Sequence, residues 1–140
     1  MTPQEHDRLV QQLVLHEGES LTVYTDTVGV MTIGVGHNLR NGISQRVSRV
    51  MLDEDIDEAV QDLARFKWFG VMNSVRQRAM IDFRFNLGPT KFREFVGMLA
   101  ALDRDDYTEA AKHMLHSHWA AQVKSRRAVK LARMVETGTE

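Results

Sequence analysis

The chain has 140 residues, no cysteine and a formal net charge of -1 at pH 7. This length predicts one domain with a core of its own, and the lack of cysteine excludes disulfides and thiol chemistry. The small net charge gives no overall attraction to nucleic acid or to anionic membranes. No apolar run reaches the ~20 residues that a membrane helix needs.

The N-terminal segment predicts a helix. Thr2, Pro3 and Glu5 have the pattern of a capping box with proline at the first helical position. An apolar stripe at helical spacing follows it, formed by Leu9, Val10, Leu13 and Val14. Gly18 supplies a residue that can end the helix in a left-handed conformation. Glu17 is therefore expected in the last turn, at the edge of the buried stripe.

Residues 21–39 predict a short β-hairpin with an irregular exit. The segment is rich in valine, threonine, tyrosine and isoleucine, and glycines interrupt it at positions 29, 34 and 36. The turn is expected near residues 28–30. Such a turn places Asp26 and Thr32 opposite each other, or nearly so, on adjacent strands.

The rest of the chain predicts helices. One begins after a Ser44 cap and runs to about residue 66, and a second begins with a capping box at residues 74–77 and ends at Gly88-Pro89. Shorter helices are expected at 92–102, 106 to about 121, and 126–135. The predicted fold class is α+β, mostly α, with the strands segregated near the N-terminus.

Glu17, Asp26 and Thr32 form a candidate active site. Glycosidic hydrolysis uses one carboxyl group, kept protonated by a partly apolar setting, to give its proton to the leaving oxygen. A second carboxylate, with a hydroxyl nearby, orients water toward the anomeric carbon. Residue types and spacing alone favour ordinary structural roles for these residues, because the chain has 19 acidic residues and such pairs arise by chance.

Several ordered blocks resemble the phage-type lysozymes, glycoside hydrolase family 24. They begin with "HEG", "YTDT" and "TIGVGHNL" within residues 16–39 and continue with "FNLG" at 85–88. "DYTEAAKHMLHSHWAAQV" at 106–123, "RRAVKLARM" at 126–134 and "TG" at 137–138 follow in the same order. The resemblance covers nearly the whole chain and implies a lysozyme-like fold.

The resemblance implies a role for each member of the candidate triad. Glu17 is the general acid, Asp26 positions or activates the hydrolytic water, and Thr32 holds that water. The family inverts the anomeric centre, which predicts carboxyl groups ~6.5 to 9.5 Å apart. The implied substrate is the β-1,4 bond between N-acetylmuramic acid and N-acetylglucosamine in peptidoglycan.

The resemblance also implies residues around the triad. An arginine, Arg127 or the adjacent Arg126, is expected to pair with Glu17, and we favour Arg127. His37 is expected to pair with Asp55 as structural support. The family positions that contact the glycan include Asn38, Phe85, Asn86, Phe95 and His113 of this chain.

The resemblance departs from the best-known family members in one region. Only residues 38–42 separate the strand exit from the next helix, which predicts a reduced small lobe and a more open cleft. The expected organisation is a single lysozyme-like domain, 1–140, with a reduced β lobe at 19–42, a connecting helix at 43–66 and a helical lobe at 67–140. The shorter lobe puts substrate affinity and preference in question.

Two further patterns have ordinary explanations. His113, His116 and His118 are spaced so that only the first pair shares a helical face, so no metal site is predicted. Residues 110–135 hold six lysines and arginines and no acid, which predicts a locally positive surface. That surface is either solvated or attracted to anionic cell-wall polymers.

The predicted protein is an endolysin that needs no cofactor and acts as a monomer on peptidoglycan glycan strands. It is expected to bind no nucleic acid and not to insert stably into a membrane. The N-terminus has no signal pattern, so we expect it in the host bacterial cytoplasm, reaching the periplasmic wall after a separate holin opens the membrane. Two alternatives remain: a lysozyme-fold protein that is catalytically impaired and only binds glycan or protein, and a DNA-binding module, which would leave the hairpin motifs unexplained.

Overall fold

The structure, a computed structural model, describes residues 1–122 and 125–140. Within these residues the chain is mostly helical, with one small antiparallel sheet near the N-terminus, which confirms the predicted α+β class. None of the helices in this part of the chain is long and apolar enough to cross a membrane. The chain forms two compact units, Met1–Arg49 and Val50–Glu140, and the predicted lobe boundaries at 19–42, 43–66 and 67–140 stay a prediction.

The elements follow one another in a simple order. The strands are β1 (Ser20–Thr25), β2 (Met31–Gly34) and β3 (His37–Asn38). The helices are α1 (Pro3–Glu17), α2 (Gln45–Leu63), α3 (Lys67–Val71), α4 (Ser74–Leu87), α5 (Pro89–Arg93), α6 (Val96–Asp103), α7 (Tyr107–Leu115), α8 (His118–Gln122) and α9 (Ser125–Thr137). A short 3₁₀ turn, Leu39–Asn41, follows β3.

The predicted capping box of α1 is confirmed. The Glu5 backbone N–H donates to the Thr2 hydroxyl, and the Thr2 backbone N–H donates to the Glu5 carboxylate, which lowers the pKa of Glu5. The helix ends at Gly18, whose φ of 73° is in the left-handed region, as predicted. Glu17 is therefore the last helical residue, directly before the first strand.

The sheet has one more strand than the sequence predicted. β2 pairs with β1 on one side and with β3 on the other, both antiparallel. β3 has only two residues and comes directly after the glycine-rich exit of β2, so no alternation of apolar and polar residues could mark it. Asn38 then ends the strand by accepting a hydrogen bond from the Arg40 backbone N–H.

Three helix predictions need correction. The cap of α4 is Asn73, whose side chain accepts from the Arg76 N–H, and Ser74 is already helical. The helix predicted at 92–102 is two helices: α5 starts at Pro89, and the non-helical ψ of 55° at Phe95 separates it from α6. The helix predicted at 106–121 is also two, α7 and α8, where the Ser117 hydroxyl donates to Met114 O and accepts from the Ala120 N–H.

The second unit has an aromatic core. Phe83 on α4 is fully buried and meets three rings edge to face: Phe92, Phe95 and Trp119, with centroid distances of 6.0, 5.0 and 4.6 Å. The inner face of α9 completes this core with Ala128, Leu131, Ala132, Met134 and Val135. Its outer face carries exposed Arg126, Lys130 and Arg133, while Lys124 of the predicted basic surface lies outside the described residues.

A buried arginine ties three helices of this unit together. Arg84 on α4 is only 5% exposed, and its guanidinium donates to Asp62 (2.9 Å) and Glu58 (2.8 Å) on α2. Arg93 at the end of α5 donates to the same Asp62 carboxylate at 2.5 Å. Arg93 and Arg84 together lower the pKa of Asp62 to about 2. The network keeps Arg84 paired where an isolated charge would be costly.

Candidate active site

The three residues of the predicted triad lie in the first unit. Glu17 ends α1, Asp26 follows β1, and Thr32 lies in β2. All three residues fall within the compact unit Met1–Arg49.

The β1–β2 turn fixes Asp26. Its Oδ1 accepts hydrogen bonds from the backbone N–H groups of Val28 (2.9 Å) and Val30 (2.8 Å). Such an Asx turn replaces backbone hydrogen bonds with side-chain ones and stabilises the tight reversal. Gly29, with a φ of 82°, supplies the left-handed residue that this reversal requires. The carboxylate is thus held by its own turn, with one oxygen occupied.

Thr32 is buried, with only 4% of its surface exposed. Its hydroxyl donates to the carbonyl oxygen of Val30 at 3.0 Å, which satisfies the one donor of a buried hydroxyl. Its backbone partner across β1 is Tyr24, and its partner across β3 is Asn38. The expectation that Asp26 lies opposite Thr32 is therefore off by two positions along β1, because the turn begins at Asp26 itself.

The peptide groups around Val30 join the two residues. The Val30 N–H donates to the Asp26 carboxylate, and the Val30 carbonyl accepts from the backbone N–H of Asp26 (2.9 Å) and from the Thr32 hydroxyl. Asp26 and Thr32 are consequently positioned by one short backbone segment. The sequence alone did not single out Val30, because its contribution comes from backbone atoms and not from its side chain.

Glu17 lies against Gly36. A Cβ added at Gly36 would lie 3.2 Å from the Oε2 atom of Glu17, closer than most Cβ contacts, and the φ of Gly36 is +65°. A cavity of about 400 Å³ beside it is lined by Val10, Leu13, Val14, Glu17, Val35 and Gly36. Leu13 and Val14 of the predicted apolar stripe line this cavity beside Glu17, although Leu13 is 44% exposed. In the sequence Gly36 marks only the irregular exit of the hairpin, and its contact with Glu17 was not predicted.

The comparison with known proteins extends over these residues. The model of the family described as phage lysozyme matches residues 14–134. The chain belongs to the phage lysozyme family. The match includes Glu17, Asp26 and Thr32, and it confirms the resemblance stated from the sequence motifs.

The chain is similar to three relatives with different names. The chain is 25% identical to "Probable T4-type lysozyme 1" of Dictyostelium discoideum, covering 88% of this chain and 90% of that protein. It is 30% identical to the endolysin of Salmonella phage P22, covering 76% and 77%. It is also 26% identical to the pre-baseplate central spike protein of Enterobacteria phage T4, of which it spans 28%. The fold therefore occurs in relatives named as lysozyme, endolysin and part of a phage spike.

The remaining predicted site residues lie in separate places. Asn38 lies in β3 beside Thr32, and His37 donates from Nε2 to the carbonyl of Gly42 at 2.7 Å. Asp55 is an exposed residue of α2 in the second unit. The predicted pairing of His37 with Asp55 stays a prediction.

The predicted substrate contacts of the second unit lie on α4 and α7, apart from Phe95, which precedes α6 and packs its ring against Phe83. Phe85 is 44% exposed, and Asn86 accepts a hydrogen bond from the indole N–H of Trp119 at 2.8 Å. His113 is exposed and lines a cavity of about 500 Å³ that Phe95 and Trp119 also line. Among the described residues, no cluster of histidine and acidic side chains has the arrangement of a metal site.

Arg127 has a partner within its own unit. Its Nε and Nη2 atoms donate to Oδ1 of Asp82 on α4, at 3.1 and 2.5 Å. Asp82 was not singled out from the sequence, since nothing in its spacing relates it to α9. The predicted pairing of Arg127 with Glu17 stays a prediction.

Proposed function

We propose that this protein is a muramidase that cleaves the β-1,4 bond between N-acetylmuramic acid and N-acetylglucosamine in bacterial peptidoglycan. Glu17 acts as the general acid, and Asp26 and Thr32 position the attacking water in an inverting reaction. The observation that carries the proposal is the arrangement of Asp26 and Thr32 around Val30. The role we propose is that of an endolysin in host-cell lysis.

The hydrogen bonds around Val30 leave one acceptor on Asp26 and one on Thr32 that support this role. The hydroxyl hydrogen of Thr32 is donated to the Val30 carbonyl, so toward a water molecule this oxygen can only accept. Oδ1 of Asp26 already accepts two N–H groups, which leaves Oδ2 free to accept from the same water. A water that gives both hydrogens to these oxygens keeps a lone pair for the anomeric carbon.

Glu17 supplies the second half of the chemistry. The general acid protonates the glycosidic oxygen as the bond to the anomeric carbon breaks, while the water attacks from the opposite face. Because Gly36 has no side chain, the Glu17 carboxyl can lie directly against the backbone of the β2–β3 connection. A water-mediated inversion requires a Glu17–Asp26 carboxyl separation of about 6.5 to 9.5 Å.

The family membership supports this reading, and one relative is named an endolysin. We extend the proposal to the substrate contacts Asn38, Phe85, Asn86 and His113 and to the structural pair His37 and Asp55. The proposed reaction uses no cofactor. The proposed setting is accumulation in the host cytoplasm and access to the wall after a holin opens the membrane.

The deciding experiment compares wild type with Glu17→Gln on purified peptidoglycan from a Gram-negative wall. Turbidity and the released fragments, identified by mass spectrometry, are followed together. We expect wild type to release fragments with reducing muramic acid ends and Glu17→Gln to release none while staying folded. Glu19→Gln is the matched control, because Glu19 lines a small cavity together with Glu17 and has no proposed role in proton transfer.

Other outcomes exclude the proposal in distinct ways. Lysis by Glu17→Gln at the wild-type rate excludes Glu17 as the acid. Anhydro-muramic ends change the reaction to a transglycosylase. Absence of release by folded wild type favours a lysozyme-fold protein that only binds glycan.

A further inference from the structure

The face of the sheet that carries Thr32 also carries an aromatic residue. Tyr24 on β1 and Asn38 on β3 are the direct partners of Thr32 on its two sides. Residues directly opposite each other in an antiparallel sheet present their side chains to the same face. Tyr24, Thr32 and Asn38 therefore form one row across the three strands, with Tyr24 at one end.

A second observation connects Tyr24 with Glu17. A cavity of about 210 Å³ is lined by Glu17, Gly18, Glu19, Ser20 and Tyr24. Tyr24 is four residues beyond Ser20 along β1, and the pairing with β2 is irregular between these two residues. The ring thus takes part in the row of Thr32 and in the cavity of Glu17, and it is half-buried, with part of its surface open to a ligand.

We propose that the ring of Tyr24 is a sugar-binding platform for the pyranose next to the bond that is cleaved. This inference rests on the proposed muramidase function and assigns a role to Tyr24, a residue of the motif "YTDT" for which the sequence predicted none. The substituents of a β-linked gluco-configured pyranose are equatorial, so its ring faces expose C–H groups. An aromatic face, with its negative quadrupole, is complementary to such a surface.

The position of Tyr24 favours a pyranose with equatorial substituents. A platform between the proton donor and the water-holding hydroxyl contacts the sugar ring whose anomeric carbon reacts. A sugar with an axial hydroxyl on the contacted face would lift away from the ring. Tyr24 therefore favours the amino sugars of a β-1,4 glycan over sugars with axial substituents.

The test measures binding in the Glu17→Gln background, where intact glycan is not consumed. The probe is a soluble tetrasaccharide of alternating N-acetylglucosamine and N-acetylmuramic acid, and calorimetry gives its Kd. We expect Tyr24→Leu to raise the Kd about tenfold, since it removes the aromatic face, and Tyr24→Phe to stay within about twofold. The control is Val23→Thr, which changes a half-exposed side chain on the opposite face of β1.

Kinetics on the otherwise wild-type enzyme provide the second readout. Tyr24→Leu should raise KM about tenfold with little change in kcat and in the thermal midpoint. A structural role would instead lower the midpoint and kcat together and would overturn the inference. An unchanged Kd in Tyr24→Leu overturns it as well, and an equal loss in Tyr24→Phe shows that the hydroxyl, not the ring, is responsible. Full activity of Glu17→Gln makes the proposed function fail, whereas an unchanged Kd in Tyr24→Leu with an inactive Glu17→Gln makes the platform alone fail.

Discussion

Residues 1–49 and residues 50–140 are held in shape by different means. The structure describes every residue of the first unit, and among these residues only Thr32 is buried. Its geometry depends on backbone hydrogen bonds, an Asx turn and four glycines with positive φ between residues 18 and 36. The second unit has a contiguous core of aromatic, methionine and alanine side chains. The proposed chemistry lies in the unit that depends on backbone geometry, and most of the packing lies in the other.

The largest effect on stability is expected in the second unit. Phe83→Ala removes a fully buried ring that contacts three other aromatic residues. We expect a loss of about 3–5 kcal/mol in the free energy of unfolding, measured by chemical denaturation. Val129→Ala, at a position 56% exposed on α9, should change it by less than about 0.5 kcal/mol. A loss below about 1 kcal/mol for Phe83→Ala would contradict the assignment of this ring to the core.

In the first unit the largest effect is expected on activity. Gly36→Ala forces a Cβ against the Glu17 carboxyl and should lower kcat about 100-fold, because small displacements of a catalytic group are costly. Gly34→Ala is the matched control, since Gly34 has the same φ of +65° and open space where its Cβ would be. Both variants pay a similar backbone strain of about 1 kcal/mol. Equal activity in the two variants would show that the contact with Glu17 is unimportant.

Acid should affect the second unit through Asp62. Its pKa is lowered to about 2, mainly by the hydrogen bonds from Arg93 and Arg84, so its contribution to stability is present above about pH 4. That contribution, about 2 kcal/mol, should be lost as the pH falls from about 4 toward 2. Denaturation of wild type and Asp62→Asn across this range tests it. The variant should lack this part of the pH dependence, and parallel curves would refute the assignment.

The smallest expected effect on stability distinguishes the observed N-cap of α4, Asn73, from the predicted one, Ser74. Asn73→Ala should cost about 1 kcal/mol, because Asn73 caps α4 and also donates to the carbonyl of Gly138 at 3.0 Å. Ser74→Ala should be close to neutral, since Ser74 lies one residue inside the helix. Thermal melts of the two variants give the comparison. A larger loss of stability in Ser74→Ala than in Asn73→Ala would favour Ser74, the cap that the sequence predicted.

Local chemistry made much of the fold predictable. The capping box at Thr2 and the stop at Gly18 depend on neighbouring residues, and both predictions were confirmed. Ser44 likewise accepts from the Val47 N–H at the start of α2, as expected. The breaks between α5 and α6 and between α7 and α8 were missed, because apolar periodicity continues across them. The third strand was missed because two residues carry no periodic signal.

The sequence predicts which residues form the candidate site, and that assignment stays a prediction, but it does not predict their geometry. The family motifs identified Glu17, Asp26 and Thr32 by type and spacing. The positions of Tyr24 and Gly36 depend on the sheet register and on a left-handed φ, neither of which spacing determines. The Asp82–Arg127 pair joins two helices 45 residues apart, and only tertiary packing brings these side chains together.

The backbone of Val30 limits which amino acids can occupy position 30 without loss of the hydrogen bonds to Asp26 and Thr32. The segment that aligns Asp26 and Thr32 uses the N–H and carbonyl of residue 30, while its side chain takes no part in those bonds. All amino acids except proline offer the same two backbone groups, so a substitution at this position leaves these hydrogen bonds available. Proline alone removes the N–H and would release the Asp26 carboxylate from its turn. The proposed water-holding pair thus depends on the backbone of residue 30, so a substitution there other than proline leaves the residue types of the proposed site unchanged.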